Sequence, residues 1–365
     1  MVNLFRGVFR NKRILITGDT GFKGSWLAIW LKELGAQVYG YAHPPKTQKD
    51  NFIRTDLVNK IIHKDGDVID YESLFAFARE VNPEIVFHLA AQPLVIYSYE
   101  NPRETYQTNL MGTVNFLEAV RNLPSVKVAI NVTSDKCYEN KDWVWGYREN
   151  DSMGGKDPYS SSKGCSELIT GAYIHSYFQN ESNKTCIASG RAGNVIGGGD
   201  WAEDRIVPDF FRACSKGEPM VIRNPEHTRP WQHVLEPLSG YLQLAATLHE
   251  EGRTYSGGWN FGPSDSNHYS VKDLVQQLIN HYRQGNFSIP VSEKKRYEAH
   301  LLKLDVSKAS KMLGWKPTLN FNQTVSFTVS GYQSELTKGD IYSQRVLQIK
   351  EYIKIASIQK NKWAV

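Results

Sequence analysis

Two short segments carry most of the chemistry available to this chain: Thr133-Ser134-Asp135-Lys136-Cys137-Tyr138 and Tyr159-Ser160-Ser161-Ser162-Lys163. A tyrosine and a lysine four residues apart on a helix share one face, one turn apart. An ammonium beside a phenol favours the phenolate, so Tyr159 is a candidate proton acceptor and Lys163 the group expected to lower its pKa. Ser134, Asp135 and Lys136 add a hydroxyl, a carboxylate and an amine. Moving a hydride off an alcohol does not require that much acid-base equipment.

These side chains need a scaffold, and the rest of the sequence supplies its pattern. Arg13-Ile14-Leu15-Ile16-Thr17 is an apolar run ending in glycines, and residues 26, 27, 30, 31 and 34 form a helical stripe that Gly35 closes. Gln37–Tyr41, Glu84–Leu89, Lys127–Val132 and Thr185–Ser189 read as further strands. Thr113–Asn122 and Tyr159 to about Phe178 read as helices. Alternation of this kind predicts a Rossmann-like, doubly wound parallel sheet with a smaller C-terminal substrate-binding domain. Ligands of such sheets bind beyond the carboxyl ends of the strands, where Gly18, His88, Ser134 and Arg191 fall. The expected division is a first domain over 1–192, with the chain around 225–262 returning to it, and 193–365 mainly for substrate. Ser270 and Asp273 predict a capped helix start.

Bulk properties narrow the class. The chain has 365 residues, a net charge of +5 and four cysteines. No apolar run approaches the ~18 residues of a membrane helix, and Phe5–Arg10 is too short for a signal peptide. The charge is too modest to suggest nucleic acid. Cys137, Cys165, Cys186 and Cys214 form no metal-spaced pair and predict reduced thiols in a cytoplasmic protein, so no metal is expected.

Gly18-Asp19-Thr20-Gly21-Phe22-Lys23-Gly24 joins the first strand to the first helix. Glycines there permit a tight turn and close approach of backbone N–H groups to a pyrophosphate. The spacing is G-x-x-G-x-x-G rather than G-x-G-x-x-G, and a P-loop is excluded because no Gly-Lys-Ser/Thr follows. The acidic ribose ligand usual at the end of the second strand is missing; Tyr41-Ala42-His43-Pro44 stands there, leaving NAD against NADP open. Gly66–Asp70 supplies either adenine contacts or a helix cap.

Together with His88-Leu89-Ala90-Ala91-Gln92 and Asn109, these motifs resemble the extended short-chain dehydrogenase/reductase family over nearly the whole chain. The resemblance implies bound NAD, contacted by Gly18, Gly21, Phe22, Gly24, Asp67, Val68, Leu89, Ala90, Ala91 and Asn109. It also implies Tyr159 as catalytic base and Lys163 on the nicotinamide ribose. Within the family, Ser134-Asp135 resembles the nucleotide-sugar 4,6-dehydratases. The strings Gly21–Trp26, Ser134–Tyr138, Arg191–Trp201 and Arg229–Val234 resemble the branch that acts on CDP-sugars, although no residue dictates cytosine over thymine. The implied role is an early step toward deoxysugars of bacterial surface polysaccharide, by a homodimer formed through the helix bearing Tyr159, or a tetramer.

The resemblance implies that Gln92, Arg191, Asn194, Arg229 and His300 contact the nucleotide sugar, while Arg191 could alternatively bridge backbone carbonyls. In its protonated form Asp135 suits the acid that releases the 6-hydroxyl. Lys136 replaces the glutamate usual in relatives, with three readings: base at C5, electrostatic partner of an enolate, or surface lysine paired with Glu139. Trp143 and Trp145 read as core or subunit contacts. A nucleotide-sugar 4-epimerase and a dinucleotide-sensing protein of the same fold are the rival readings.

Overall fold

The computed structural model describes residues 1–180, 184–264, 269–290, 302–336 and 339–365. Seven strands form one parallel sheet: β1 (Arg13–Thr17), β2 (Gln37–Ala42), β3 (Ile62–Asp65), β4 (Ile85–His88), β5 (Val128–Val132), β6 (Cys186–Arg191) and β7 (Gly257–Asn260). Their spatial order is β7-β6-β5-β4-β1-β2-β3. The chain reverses its winding between β1 and β4, and a crevice opens at the carboxyl ends of those strands. The apolar strands predicted from sequence are thus all present, and β7 joins them from far along the chain, pairing Trp259 with Gly190.

Helices cover both faces, as buried parallel strands require. On one face α1 (Phe22–Glu33) packs with α6 (Leu235–Glu251) and α9 (Ile341–Ile358) around Trp26, Trp30, Tyr352 and Trp363. On the other, α2 (Tyr71–Val81), α3 (Gly112–Arg121) and α4 (Pro158–Tyr173) close a second layer through Phe77, Phe116 and Leu117. A separate core around Phe210, Phe211, Trp231, Leu274 and Tyr332 joins α5 (Ile206–Lys216), α7 (Val271–Tyr282) and α8 (Phe321–Leu336). The region 193–365 is therefore divided: α6, β7 and α9, with Leu313, Trp315 and Trp363, pack into the core of the large sheet, and α5, α7 and one side of α8 build the smaller body. Ser270 and Asp273 form the reciprocal cap of α7 anticipated from sequence. Among the described residues no helix is long and apolar enough to cross a membrane.

Candidate active site

Helix α4 begins where its sequence says it should. The Asp157 carboxylate accepts from Ser160 N at 2.9 Å, and Pro158 occupies the first helical position. A row of small polar side chains then fixes the helix on its neighbours. Asn131 of β5 donates to Ser166 Oγ at 3.0 Å and Thr170 Oγ1 at 2.9 Å, and Thr113 of α3 meets Ser166 at 2.9 Å. Every one of these groups is buried. Hydrogen bonds satisfied this way specify a register that apolar contacts alone leave looser, so Tyr159 and Lys163 are held against the end of β5.

Beyond β5 the chain makes a single tight turn over Asp135–Cys137. Ser134 Oγ donates to Asp135 Oδ1 at 2.9 Å and accepts from Lys136 N at 3.2 Å. The same hydroxyl bonds the Tyr159 phenol. Asp135 is 1% exposed, and its Oδ2 has no partner among the described residues. A side chain at Gly193 would collide with that carboxylate, so the glycine leaves the space it occupies. The two sequence segments singled out by spacing therefore converge.

The electrostatics correct one expectation. Burial raises the Tyr159 phenol to about 12; Ser134 and Arg205 oppose the rise, and Asp135 and Asp157 add to it. The net direction is opposite to the depression expected from Lys163. The lysine is itself desolvated, which brings its amine down to about 8 against the pull of Glu167, and it donates to Val132 O at 3.4 Å. Spacing placed the two residues on one face but could not weigh the cost of burying both.

Three further residues expected at a ligand are also tied to the protein itself. Arg191 is committed elsewhere: its guanidinium reaches Glu167 Oε2 at 2.7 Å, Tyr138 Oη at 2.6 Å and Glu149 O at 3.0 Å. The tie to a backbone carbonyl, left open from sequence, is present through Glu149 O. Gln92 spends its amide on Leu94 O, Thr105 Oγ1 and Leu94 N. Asn109 clamps the Gln92 backbone from both sides, at 2.8 and 3.0 Å, and holds Ser162 at 2.9 Å. Both residues shape the loop after β4.

Lys136 is half-buried, and Glu139 pairs with Lys141 at 3.7 Å. Among the described residues no ion pair joins Lys136 to Glu139. Asn194 adopts a left-handed backbone (φ 47°) beside the crevice, and Arg229 is 7% exposed on a short strand paired with Tyr269–Ser270. Trp143 stacks on Tyr147, whereas Trp145 is exposed. His300 lies outside the described residues. Asp70 caps α2 through Ser73 N at 3.1 Å, and Asp67 pairs with His43 at 2.9 Å.

Sequence reasoning missed three charged groups. Glu167 follows Lys163 by one further turn, and the spacing Tyr159-Lys163-Glu167 was its available signal. Arg205, bound to Asp200 at 2.9 Å, lends positive charge to the Tyr159 phenol. Lys23 sits inside the glycine-rich motif; burial lowers its amine to about 7, helped by Arg205 and Lys163 and opposed by Asp135. Its charge is thereby coupled to Lys163 and Asp135 of the catalytic segments.

The residues present fit a dinucleotide. A Cβ at Gly18 would lie 2.6 Å from Ala90 N, and one at Gly24 would collide with Gly18 O, so the turn is packed to backbone contact. No side chain caps the start of α1, which leaves its first N–H groups for an anion. Gly18, Gly21, Phe22 and Gly24 would hold the pyrophosphate, with Leu89, Ala90 and Ala91 lining the crevice at β4 and Asp67 and Val68 after β3.

A seven-stranded parallel sheet with a glycine-rich β1–α1 turn and Tyr-x-x-x-Lys on the helix beside β5 defines the architecture of the extended short-chain dehydrogenases/reductases. Residues 15–328 match the family described as GDP-mannose 4,6 dehydratase, and the chain belongs to that family. It is 46% identical over 351 residues to a CDP-glucose 4,6-dehydratase of Salmonella typhimurium, covering 95% of this chain and 98% of the relative. A dTDP-glucose 4,6-dehydratase of Xanthomonas campestris is 26% identical, with 88% and 93% covered. Among solved structures, a Streptomyces venezuelae dTDP-glucose 4,6-dehydratase with bound NAD superposes with TM-score 0.76 at 21% identity, covering 88% of this chain and 97% of the other. A Thermotoga maritima UDP-glucose 4-epimerase with UDP-glucose gives 0.75 at 23%, covering 89% and 99%.

Proposed function

We propose that the protein converts CDP-D-glucose to CDP-4-dehydro-6-deoxy-D-glucose and water, using NAD. The observation that carries this reading is the convergence of Ser134 and Asp135 on Tyr159, within a chain 46% identical to a CDP-glucose 4,6-dehydratase.

When bound, NAD would supply the acceptor for the C4 hydride and then the donor that returns it to C6. The protein's own groups move protons. Tyr159, which the positive charge of a bound nicotinamide ring would help to ionise against the cost of burial, takes the proton of the sugar 4-hydroxyl, with Ser134 holding the same oxygen. The resulting ketone acidifies C5, and Lys136 removes that proton or stabilises the enolate it leaves. Asp135 protonates the departing 6-hydroxyl, which leaves as water. Return of a proton to C5 completes the cycle, and atoms and electrons balance without an outside oxidant. Arg229 and Asn194 line the substrate side. A 4-epimerase would have no use for an acid at the 6-hydroxyl, which favours the dehydratase.

In this reading the protein works in the cytoplasm, early in deoxysugar synthesis. In the same reading it is a homodimer through α4, which carries the exposed Leu168 and packs with the segments that carry the exposed Met111 and Tyr106.

Incubation with CDP-glucose and NAD in deuterated water tests the reading by mass spectrometry. Loss of one water with one deuterium at C5 is the expected result. Inversion at C4 without water loss would establish the epimerase, and an unchanged sugar across several nucleotide sugars would end both.

A further inference from the structure

The β2 strand ends without the carboxylate that ordinarily meets the adenosine ribose of NAD. His43 stands just past its end and pairs with Asp67 at 2.9 Å, so that position offers an imidazole where an acid is usual. Three residues next to it form a continuous chain. The Asp19 carboxylate, fully buried, folds under the glycine-rich turn and reaches His63 Nδ1 of β3 at 2.7 Å. His63 Nε2 lies 3.1 Å from Asp65 Oδ1. Asp65 is the last residue of β3, in register with Ala42, the last residue of β2, and its side chain is 66% exposed.

Several features show that this chain is built into the fold. A side chain at Gly40 of β2 would collide with the Asp19 carboxylate. The His63 ring packs on Phe52 at 5.0 Å. Burial works against a charged His63, yet Asp19 and Asp65 together hold its pKa above the ordinary value. Both ring nitrogens then donate to carboxylates, and the trio carries a net negative charge. A carboxylate as deeply buried as Asp19 is costly unless paired, and here its partner is the residue that orients Asp65.

We propose that the dinucleotide-discriminating carboxylate has moved one strand over. Asp65, oriented through His63 by Asp19, accepts from the adenosine ribose 2′-hydroxyl and repels the 2′-phosphate of NADP. Asp65 is the specificity residue; His63 and Asp19 are positioning residues. This inference rests on the dinucleotide reading above and names which dinucleotide the site takes and why. A surface aspartate serving solvation alone would need neither the buried acid nor the glycine that accommodates it.

Dissociation constants for NADH and NADPH, from fluorescence titration of the full chain, test it. The wild type binds NADH far more tightly than NADPH. Asp65→Asn, at an exposed position that leaves the core untouched, lowers that preference by on the order of 10- to 100-fold, the worth of a hydrogen bond to a charged group. His63→Gln lowers it in the same direction, and Asp65→Glu recovers part of it. A preference unchanged in Asp65→Asn would overturn the proposal, as would equal binding of both dinucleotides by the wild type. A His63→Gln variant that melts earlier at unchanged preference would remove the positioning role. Binding of neither dinucleotide would instead bring down the dinucleotide reading itself.

Discussion

Arg191 on β6 and Glu167 on α4 form an ion pair of 2.7 Å with both side chains buried, one turn beyond Lys163. Glu167 also accepts from Ser189 Oγ at 2.6 Å and from Thr133 Oγ1, the residue just before the Ser134-Asp135-Lys136 turn. One carboxylate thus joins the helix carrying Tyr159 and Lys163 to the two strands whose ends frame the crevice.

Removing either partner leaves a buried charge uncompensated. Arg191→Met and Glu167→Gln are each expected to destabilise the fold, Arg191→Met by about 3–5 kcal/mol in chemical denaturation. Glu167→Gln keeps two of its hydrogen bonds and costs less. If Arg191 instead gripped the diphosphate, its substitution would raise KM for CDP-glucose and leave the denaturation midpoint unmoved.

The same pair sets a pH dependence. Burial opposes ionisation of Glu167, but Arg191, Ser189 and Thr133 outweigh it and hold the carboxyl below its ordinary range. A depressed folded pKa means that the carboxylate's stabilisation is complete above the unfolded value. It is lost as pH falls through the folded one. The melting temperature of the wild type is therefore expected to fall on acidification below about pH 4.5. Glu167→Gln is less stable at neutral pH and loses less over that interval, as calorimetry at a series of pH values would show. Parallel curves for the two proteins would contradict the assignment.

The sequence announced the sheet because apolar strands alternating with striped helices have few other folded solutions. Tyr159 and Lys163 were legible from a helical spacing, and the glycine turn from its place between β1 and α1. What stayed hidden were relations between distant segments. Arg191 looks like a diphosphate ligand in sequence, where nothing shows that Glu167, 24 positions away, pairs with it. Nor does sequence show that Gln92 and Asn109 bind each other. The depression expected for the Tyr159 phenol failed for a similar reason. A spacing rule counts the neighbouring charge and omits the water that both groups lose.

Lys136 distinguishes two chemistries at C5. If it removes the proton, Lys136→Met is expected to lose dehydration by about 100- to 10,000-fold, the usual contribution of a positioned base. Lys136→Glu, which restores a carboxylate base, recovers part of it. If the ammonium serves only to stabilise the enolate, Lys136→Glu is as poor as Lys136→Met or worse, because it brings a like charge to the developing anion. Exchange of the C5 hydrogen with deuterated water, measured alongside turnover, separates the two. Wild-type turnover in Lys136→Glu would show that the lysine is not specially required.

Asp135 provides the sharpest division between hydride transfer and water loss. Its Oδ1 is held by Ser134, while its buried Oδ2 has no partner among the described residues and lies against Gly193. A buried polar oxygen left unmatched is costly in a structural role and useful in one that exchanges a proton with substrate. Asp135→Asn preserves the shape and the Ser134 bond but cannot deliver a proton to the 6-hydroxyl. The expected variant still oxidises C4, seen as reduced dinucleotide formed on mixing with CDP-glucose, and loses water about 100-fold more slowly or worse. Equal loss of both steps would mean that Asp135 only positions Tyr159 through Ser134, and the acid would have to be sought elsewhere in the crevice.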